Sequence, residues 1–283
     1  MKRLLALIPP HKTYVEPFGG AAALPFAKQP SQVEVYNDIH GGVVNLYRVL
    51  RDETKFERFK RAVELMPYSR EEFEAFDETW MTAEDDVERA IRFFVVARAA
   101  FSAQLYRPSW GYNVSEVTSG VAKVIKNYLA SIERLPLVHE RLRTVQIEND
   151  DFRRVIRRYD TSETFFYLDP PYVLATRRGG RYAHEMSDSD HEELVDMLLT
   201  LKGRAMLTGY ANAIYKRLEA AGWRRIDYTT HVSAVGRVRT SGLIGRGAVS
   251  EIGLRVESVW LNYDPPALGD AAAGAVLAAA GRG

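Results

Sequence analysis

Strand patterns and helix patterns alternate along this chain of 283 residues. Short apolar or alternating segments, typical of strands, are separated by longer segments with apolar residues at helical spacing. Parallel strands need such crossovers, so the alternation predicts an α/β fold with a doubly wound, mostly parallel sheet. The expected strands are Thr13–Glu16, 32–38, 145–147, 165–168, 204–207 and 258–262. The expected helices are one that starts in the small residues after Gly20, then 41–59, 84–101, 129–142 as pieces broken at Pro136, 189–201 and 211–221.

Composition restricts the chemistry of the chain. Basic and acidic residues balance at 38 and 37, so a nucleic-acid surface would have to be a local patch. The absence of cysteine excludes disulfides, thiolate metal sites and cysteine nucleophiles, and the six histidines lack metal-ligand spacing, so we expect no metal. No run reaches the roughly 20 apolar residues that span a bilayer. We therefore predict a soluble, cytoplasmic chain with no membrane partner.

Three expected strand ends carry polar or glycine-rich segments. Gly19 and Gly20 follow the first strand and allow a sharp turn with close approach of a ligand. Asp38 follows the second strand, where a carboxylate can accept both hydroxyls of a ribose. The sequence "DPPY", which begins at Asp169, follows the apolar run 165–168. Ligands gather at the carboxyl ends of parallel strands, so these three segments together predict a nucleoside pocket.

Each segment also has a simpler interpretation. The glycines alone are typical of an ordinary strand-to-helix turn, and Asp38 alone is typical of a turn or helix cap. The "DPPY" turn alone is compatible with a rigid bend that closes a strand. The order and spacing of the three segments favour the pocket over three unrelated turns.

The same segments resemble a known family, the Dam-type S-adenosylmethionine-dependent DNA N6-adenine methyltransferases. The resemblance rests on "YVEPFGGAAAL", "VYND", "DDF" and "YLDPPY" in this order, and the later segments "MLTGYANAIY" and "ESVWLNY" are also similar. It runs from about residue 2 to residue 263. It implies a Rossmann-like methyltransferase fold with an inserted, largely helical recognition subdomain.

The resemblance also implies residue roles. The residues implied for S-adenosylmethionine binding are Glu16, Pro17, Phe18, Gly19, Gly20, Ala22, Asp38, Asp151, Phe152 and Asp169. Within this set, Asp38 would bind the cofactor ribose, and Asp151 and Phe152 would lie near the cofactor adenine. Asp169, Pro170 and Tyr172 would form the target-base site.

The chain departs from the family pattern at two places. Ala22 stands where the Phe-x-Gly-x-Gly pattern has its second glycine, and we expect the alanine to keep a negative φ. The family also has a Trp-Gly-Gly-Lys segment ahead of the first strand, of which Lys2 is the expected remnant. The second departure implies either that the start of the sequence is truncated or that the affinity for the cofactor is reduced.

The "DPPY" turn suits the activation of an exocyclic amine. The adenine N6 lone pair is delocalised into the ring, so the amine is a weak nucleophile. If the Asp169 carboxylate and the Pro170 carbonyl each accept one N6 hydrogen, the lone pair is freed to attack a sulfonium methyl group. Tyr172 would stack on the flipped-out base.

Candidate DNA contacts lie in two regions. Arg177, Arg178 and Arg181 follow the "DPPY" turn, and a second basic stretch covers 236–247. In the insertion, Arg107 and Asn113 are the preferred candidates to read base edges. Solvated loops and core packing are alternative interpretations of these residues.

The sequence therefore predicts a DNA adenine-N6 methyltransferase that acts on a specific sequence in double-stranded DNA. A cytosine-N4 methyltransferase and an inactive DNA-binding protein of the same fold are the alternatives. The predicted catalytic domain comprises 1–53 and 144–266, the recognition subdomain comprises 54–143, and the tail 267–283 is expected to be disordered. A companion restriction endonuclease is an expected partner, and the expected location is a bacterial, archaeal or phage-infected cell.

Overall fold

The computed structural model describes residues 1–101, 105–114, 116–177, 182–231 and 254–266. Within these residues the helices are α1 Lys2–Leu5, α2 Ala23–Ala27, α3 Gly41–Arg51, α4 Glu53–Leu65, α5 Arg70–Thr79, α6 Asp86–Ala99, α7 Lys123–Glu133, α8 Leu135–Leu142, α9 Phe152–Tyr159, α10 Asp188–Leu199 and α11 Lys216–Ala220. The strands are β1 Thr13–Glu16, β2 Val33–Asn37, β3 Val117–Thr118, β4 Val121–Ala122, β5 Val145–Glu148, β6 Thr164–Leu168, β7 Arg204–Gly209, β8 Arg224–His231 and β9 Leu254–Leu261.

Seven strands form the main sheet in the order β5-β2-β1-β6-β7-β9-β8. The β2 and β5 strands pair in parallel, as do β6 and β7, whereas β9 is antiparallel to both β7 and β8. The predicted α/β fold with a mostly parallel sheet is confirmed, and it is consistent with a Rossmann-like methyltransferase fold.

The chain divides into two compact units, and one boundary between them lies within β1, between Tyr14 and Val15. The first unit comprises Met1–Tyr14, Tyr159–Arg177 and Met186–Gly283, and the second comprises Val15–Arg158 and Arg178–Glu185. These units differ in their limits from the functional domains predicted above, which remain a prediction.

The first unit has β6 as a central strand. All five residues of β6 are buried, as expected for a parallel strand that is covered on both faces. The pairing of β6 with β7 sets Leu168 opposite Leu207. This register brings the carboxyl ends of the two strands together, and the candidate catalytic residues follow these ends.

The second unit carries most of the helices in the predicted insertion. Its core packs α3, α4, α6, α7 and α8 against β2 and β5 through buried residues such as Val49, Phe59 and Phe94. The helix α6 has eight buried residues along its length, which explains its strong helical pattern in the sequence.

Several sequence-based boundaries were wrong. The segment 41–59 forms two helices because Asp52 leaves the helical region and its side chain caps α4 by accepting the N–H of Lys55. The helices α5 and α9, the edge strand β8 and the short β3-β4 hairpin were not predicted.

Some predictions fall outside the described residues. They are the DNA contacts at Arg178 and Arg181, the basic stretch 236–247 and the tail 267–283. In the part of the chain that the structure describes, every helix is too short or too polar to cross a membrane.

Candidate active site

The "DPPY" turn follows the buried strand β6 directly. Asp169 is the first residue after the strand, and the buried Pro170 comes next. Two consecutive prolines fix two φ angles and lack N–H groups, so the turn has few alternative conformations. The Asp169 carboxylate is therefore held by a strand on one side and by a stiff segment on the other.

Hydrogen-bond donors from two elements surround Asp169. The Thr208 hydroxyl on β7 lies 2.7 Å from Asp169 Oδ1 and 3.2 Å from the Leu168 carbonyl oxygen. Desolvation by the surrounding protein raises the pKa of Asp169, and hydrogen bonds from Thr208 and Tyr172 oppose this shift. Asp169 as a whole residue is nevertheless exposed, which is compatible with the approach of a ligand to this turn.

An aromatic pair lies beside this carboxylate. The Tyr172 and Tyr210 rings meet edge to face, with centroids 4.8 Å apart and planes at 79°. The contact restricts the Tyr172 ring, which is only partly buried and keeps area for a further stacking partner.

A buried histidine and tyrosine pack in the same unit. The Tyr215 hydroxyl lies 2.9 Å from Nδ1 of His191, and both side chains are almost fully buried. Burial raises the pKa of Tyr215, and the Asp169 charge adds to this effect, while burial lowers the pKa of His191. Both groups are therefore expected to be neutral near pH 7, which fits a structural role.

The glycine loop in the second unit turns sharply after β1. Gly19 donates its N–H to the Asn37 carbonyl at 2.7 Å, and Ala22 donates to the Gly19 carbonyl at 2.8 Å. Gly20 has a φ of 46°, and a Cβ at Gly20 would have no atom within 4 Å. The loop is thus open at Gly20, where only a residue tolerant of positive φ fits without strain.

Ala22 contradicts the expectation of a negative φ. It has φ 51° and ψ 38°, the left-handed conformation that the family glycine would adopt without strain. Its side chain is 2% exposed, so burial of the methyl group offsets part of the strain. The prediction failed because it considered only the backbone preference of alanine and not the packing of the methyl group.

Asp38 ties the glycine loop to the start of α3. Its Oδ2 accepts the Gly20 N–H at 2.7 Å, and its Oδ1 accepts the His40 N–H at 2.7 Å. A carboxylate has about four lone-pair directions, so the half-buried Asp38 keeps acceptor capacity for hydroxyl groups.

The "DDF" segment begins α9. Asp151 Oδ1 accepts the Arg153 N–H at 2.8 Å, and the Arg153 guanidinium lies 2.9 Å from Oδ2. The Phe152 ring packs on the Phe18 ring with centroids 5.1 Å apart, so aromatic groups from the glycine loop and from α9 meet. The structure thus groups these residues with Gly20 and Asp38 in the second unit, while Glu16 and Pro17 are buried at the start of the loop.

The comparisons with known proteins decide the family. The family model for D12 class N6 adenine-specific DNA methyltransferases matches residues 1–230. The chain belongs to this family. It is also similar to the Type II methyltransferase M.CviBI of Paramecium bursaria Chlorella virus NC1A, at 25% identity over 217 residues, which cover 73% of this chain and 76% of the relative.

Membership in the D12 class confirms the predicted activity, methylation of adenine N6 in DNA, and the predicted enzyme class. It also implies a methyl donor and a DNA substrate. The roles of single residues in this D12 methyltransferase remain predictions.

Two residues of this D12 methyltransferase that contact the "DPPY" turn were not predicted from the sequence. They are Thr208, which bonds Asp169, and Tyr210, which packs on Tyr172. Both lie in the segment "MLTGY", and the parallel register of β6 and β7 would have placed them beside the turn. The signal was present, but it required knowledge of which strands pair.

The predicted DNA contacts of this D12 methyltransferase have differing surroundings. Arg107 is exposed, has a φ of 46° and lies over the Tyr106 ring. Asn113 Oδ1 accepts the Val124 N–H at 2.8 Å and so helps to fix the first turn of α7. Arg177 is partly buried. Asn113 therefore already has a structural contact, and its DNA contact remains a prediction.

Proposed function

We propose that the chain transfers a methyl group from S-adenosylmethionine to N6 of an adenine flipped out of double-stranded DNA at a specific sequence. The observation that carries the proposal is the Asp169 carboxylate, which is held by the Thr208 hydroxyl and the stiff "DPPY" turn. Membership in the D12 class supplies the reaction, and Asp169 supplies the acceptor that the amine needs.

Two acceptors in the turn activate the amine. Asp169 accepts one N6 hydrogen and the Pro170 carbonyl accepts the other, so that the nitrogen becomes pyramidal and its lone pair is available. S-adenosylmethionine supplies an electrophilic methyl group on a sulfonium. The N6 lone pair forms the new N–C bond as the S–C bond breaks, and the displaced N6 proton leaves to Asp169 or to solvent. Positioning within roughly 3–3.5 Å contributes much of the acceleration.

The target adenine must leave the duplex before this step. In a base pair one N6 hydrogen is already donated to the partner base, so Asp169 and Pro170 cannot both be reached. Tyr172 stacks on the extruded base, and its edge contact with Tyr210 supports this role because it holds the ring in one orientation.

The glycine loop and its neighbours fit a nucleoside cofactor. The open space at Gly20 supports close approach of a ligand to the backbone, and the free acceptor capacity of Asp38 suits ribose hydroxyls. The paired rings of Phe18 and Phe152 suit an adenine, and Asp151 lies beside them. The loop residues Glu16, Pro17, Gly19 and Ala22 shape this surface.

DNA recognition is assigned to the helical insertion and to the arginines after the turn. In this proposal Arg107 and Asn113 contact base edges, and Arg177, Arg178 and Arg181 contact phosphates. We accordingly assign the catalytic domain to residues 1–53 and 144–266 and the recognition subdomain to residues 54–143. Because the substrate is DNA, we place the enzyme in the cytoplasm of a bacterial, archaeal or phage-infected cell, with a companion restriction endonuclease as partner.

A methyl-transfer assay tests the proposal. Labelled S-adenosylmethionine and unmethylated DNA of mixed sequence should yield N6-methyladenine on nucleoside analysis, and Asp169→Ala should abolish it. Asp196→Ala is the matched control because this exposed carboxylate lies in the same unit and pairs with Arg217 at 2.6 Å. Full activity of Asp169→Ala would remove the proposed role of the "DPPY" turn.

A further inference from the structure

Side-chain amides join three strand ends in the second unit. The last residue of β2, Asn37, is 1% exposed and lies between the ends of β1 and β5. We propose that Asn37 is a positioning residue that fixes the glycine loop relative to the "DDF" segment and thereby sets the cofactor site. The inference rests on the proposed function, because it assumes that these two segments bind the cofactor.

The Asn37 amide is bonded on both sides. Its Nδ2 donates to the Pro17 carbonyl at 2.8 Å and to the Asp150 carbonyl at 2.9 Å. Its Oδ1 accepts the Asp150 N–H at 2.9 Å. Two donors and one acceptor are used at once, and the two carbonyls and the N–H fix which end of the amide is nitrogen.

The backbone of Asn37 extends the same connection. Its carbonyl oxygen accepts the Gly19 N–H at 2.7 Å, so one residue binds the glycine loop through both backbone and side chain. A second amide acts nearby: Asn149 Nδ2 donates to the Asp38 carbonyl at 2.7 Å. Asn149 is partly exposed and makes one such bond, whereas Asn37 is buried and makes three.

These bonds control distances that matter for binding. The Phe18 ring follows Pro17, and the Phe152 ring lies two residues after Asp150, so Asn37 determines how closely the rings approach. If the amide is lost, the Pro17 and Asp150 carbonyls each lose a donor and the two segments can separate. The candidate catalytic groups Asp169, Thr208 and Tyr172 belong to the other unit. Loss of Asn37 should therefore raise KM for S-adenosylmethionine more than it lowers kcat.

Asn37→Asp is the most direct test because it keeps the shape and removes both donors. We expect S-adenosylhomocysteine to bind about tenfold more weakly or worse, since two hydrogen bonds, one buried and one partly buried, become repulsive contacts. Asn37→Ser serves as a second variant that removes the amide without adding charge. Asn149→Ala should weaken binding less than either, because one exposed bond is lost.

Asn45→Asp is the matched control. Asn45 Nδ2 donates to the Asp86 carbonyl at 2.8 Å, a bond that joins α3 to α6 in the same unit. This variant should lose some stability, because its one donated bond becomes repulsive, but it should keep the affinity of the wild type for S-adenosylhomocysteine. If Asn45→Asp lost as much affinity for S-adenosylhomocysteine as the Asn37 variants, Asn37 would contribute only to general stability and the proposal would be overturned.

Hydrogen exchange supplies a measurement that does not depend on activity. In the Asn37 variants, peptides covering 15–20 and 149–153 should exchange faster together, while the peptides of α6 keep their protection. If a folded Asn37 variant binds within twofold of the wild type, or if the two segments respond independently, the proposal is overturned. If the wild type itself binds no S-adenosylhomocysteine, the proposed function fails, and the exchange experiment still decides whether Asn37 joins the segments.

Discussion

Gly19→Ala tests whether the buried Tyr36 ring fixes the glycine loop. A Cβ at Gly19 would lie 2.0 Å from Tyr36 Cε2 and 2.6 Å from Cζ. Carbon atoms pack at about 3.5–4.0 Å, so the loop or the ring must move by about 1.5 Å or more. The ring is 2% exposed and meets Tyr47 edge to face at 4.9 Å, so it has little room to move.

The expected loss of stability follows from three contributions. Overpacking costs about 1–3 kcal/mol, and disruption of the 2.8 Å hydrogen bond from the Tyr36 hydroxyl to the Gly20 carbonyl costs about 0.5–1.5 kcal/mol. The lower entropy of the unfolded alanine chain returns about 0.4–1 kcal/mol. We expect a net destabilisation of about 2 kcal/mol and a fall in Tm of about 4–8 °C.

Thermal and urea unfolding of matched variants measure this effect. Gly41→Ala is the control, because a Cβ at the first residue of α3 has no atom within 4 Å and should leave stability unchanged or slightly higher. In a Tyr36→Leu background the penalty of Gly19→Ala should largely disappear. Gly19→Ala as stable as the wild type would refute the reasoning, because the ring would then not restrict the loop.

Three further outcomes follow from the site. Thr208→Val removes the hydroxyl that donates to Asp169, and a hydrogen bond to a charged group is worth about 1.5–3 kcal/mol. The rate of methyl transfer should therefore fall at least about tenfold, and the acidic limb of its pH–rate profile should move to higher pH. An unchanged pH profile would contradict this. Asp169→Asn should abolish methyl transfer yet raise the stability of the protein at neutral pH. The pKa of Asp169 is higher in the folded protein than in the unfolded chain, so the wild type loses stability as the pH rises from the ordinary aspartate range through this raised pKa. The asparagine side chain does not ionise, so the variant avoids this loss. Unfolding curves at pH 3 and pH 7 check the sign, since the gain should be present only at pH 7. Ala22→Gly should change the free energy of unfolding by less than about 1 kcal/mol. It relieves about 1–2 kcal/mol of left-handed strain, but it also removes a buried methyl group worth about 0.8 kcal/mol and makes the unfolded chain more flexible. A large loss of stability, measured by urea unfolding, would show that the strain is small.

The sequence predicted the parts of the fold that have a local signal. The alternation of strands and helices and the long apolar pattern of α6 depend on neighbouring residues, so both were recognised. The strand β8 was missed because its sequence, which includes Arg224, Arg225 and Asp227, is polar and lies at the sheet edge. As an edge strand, β8 pairs with one neighbour, β9, and the residues 232–253 separate the two strands in the sequence.

The candidate site divides in the same way. Asp169, Asp38 and the glycines were predicted as site residues because they follow strands in a recognisable order. Thr208 and Asn37 act through partners that only the folded chain brings near, such as Asp169 and Asp150. The left-handed conformation of Ala22 was missed because the backbone preference of alanine favours a negative φ.

The position of β9 has a consequence for biosynthesis. This strand lies between β7 and β8, although it is translated after both. A nascent chain that has reached only residue 231 has β7 and β8 but lacks the strand that separates them. Its unpaired strand edges can pair with other chains, and chaperones would be expected to bind at this stage. A frameshift or stop codon before residue 254 would therefore remove an interior strand of the sheet, not a dispensable end.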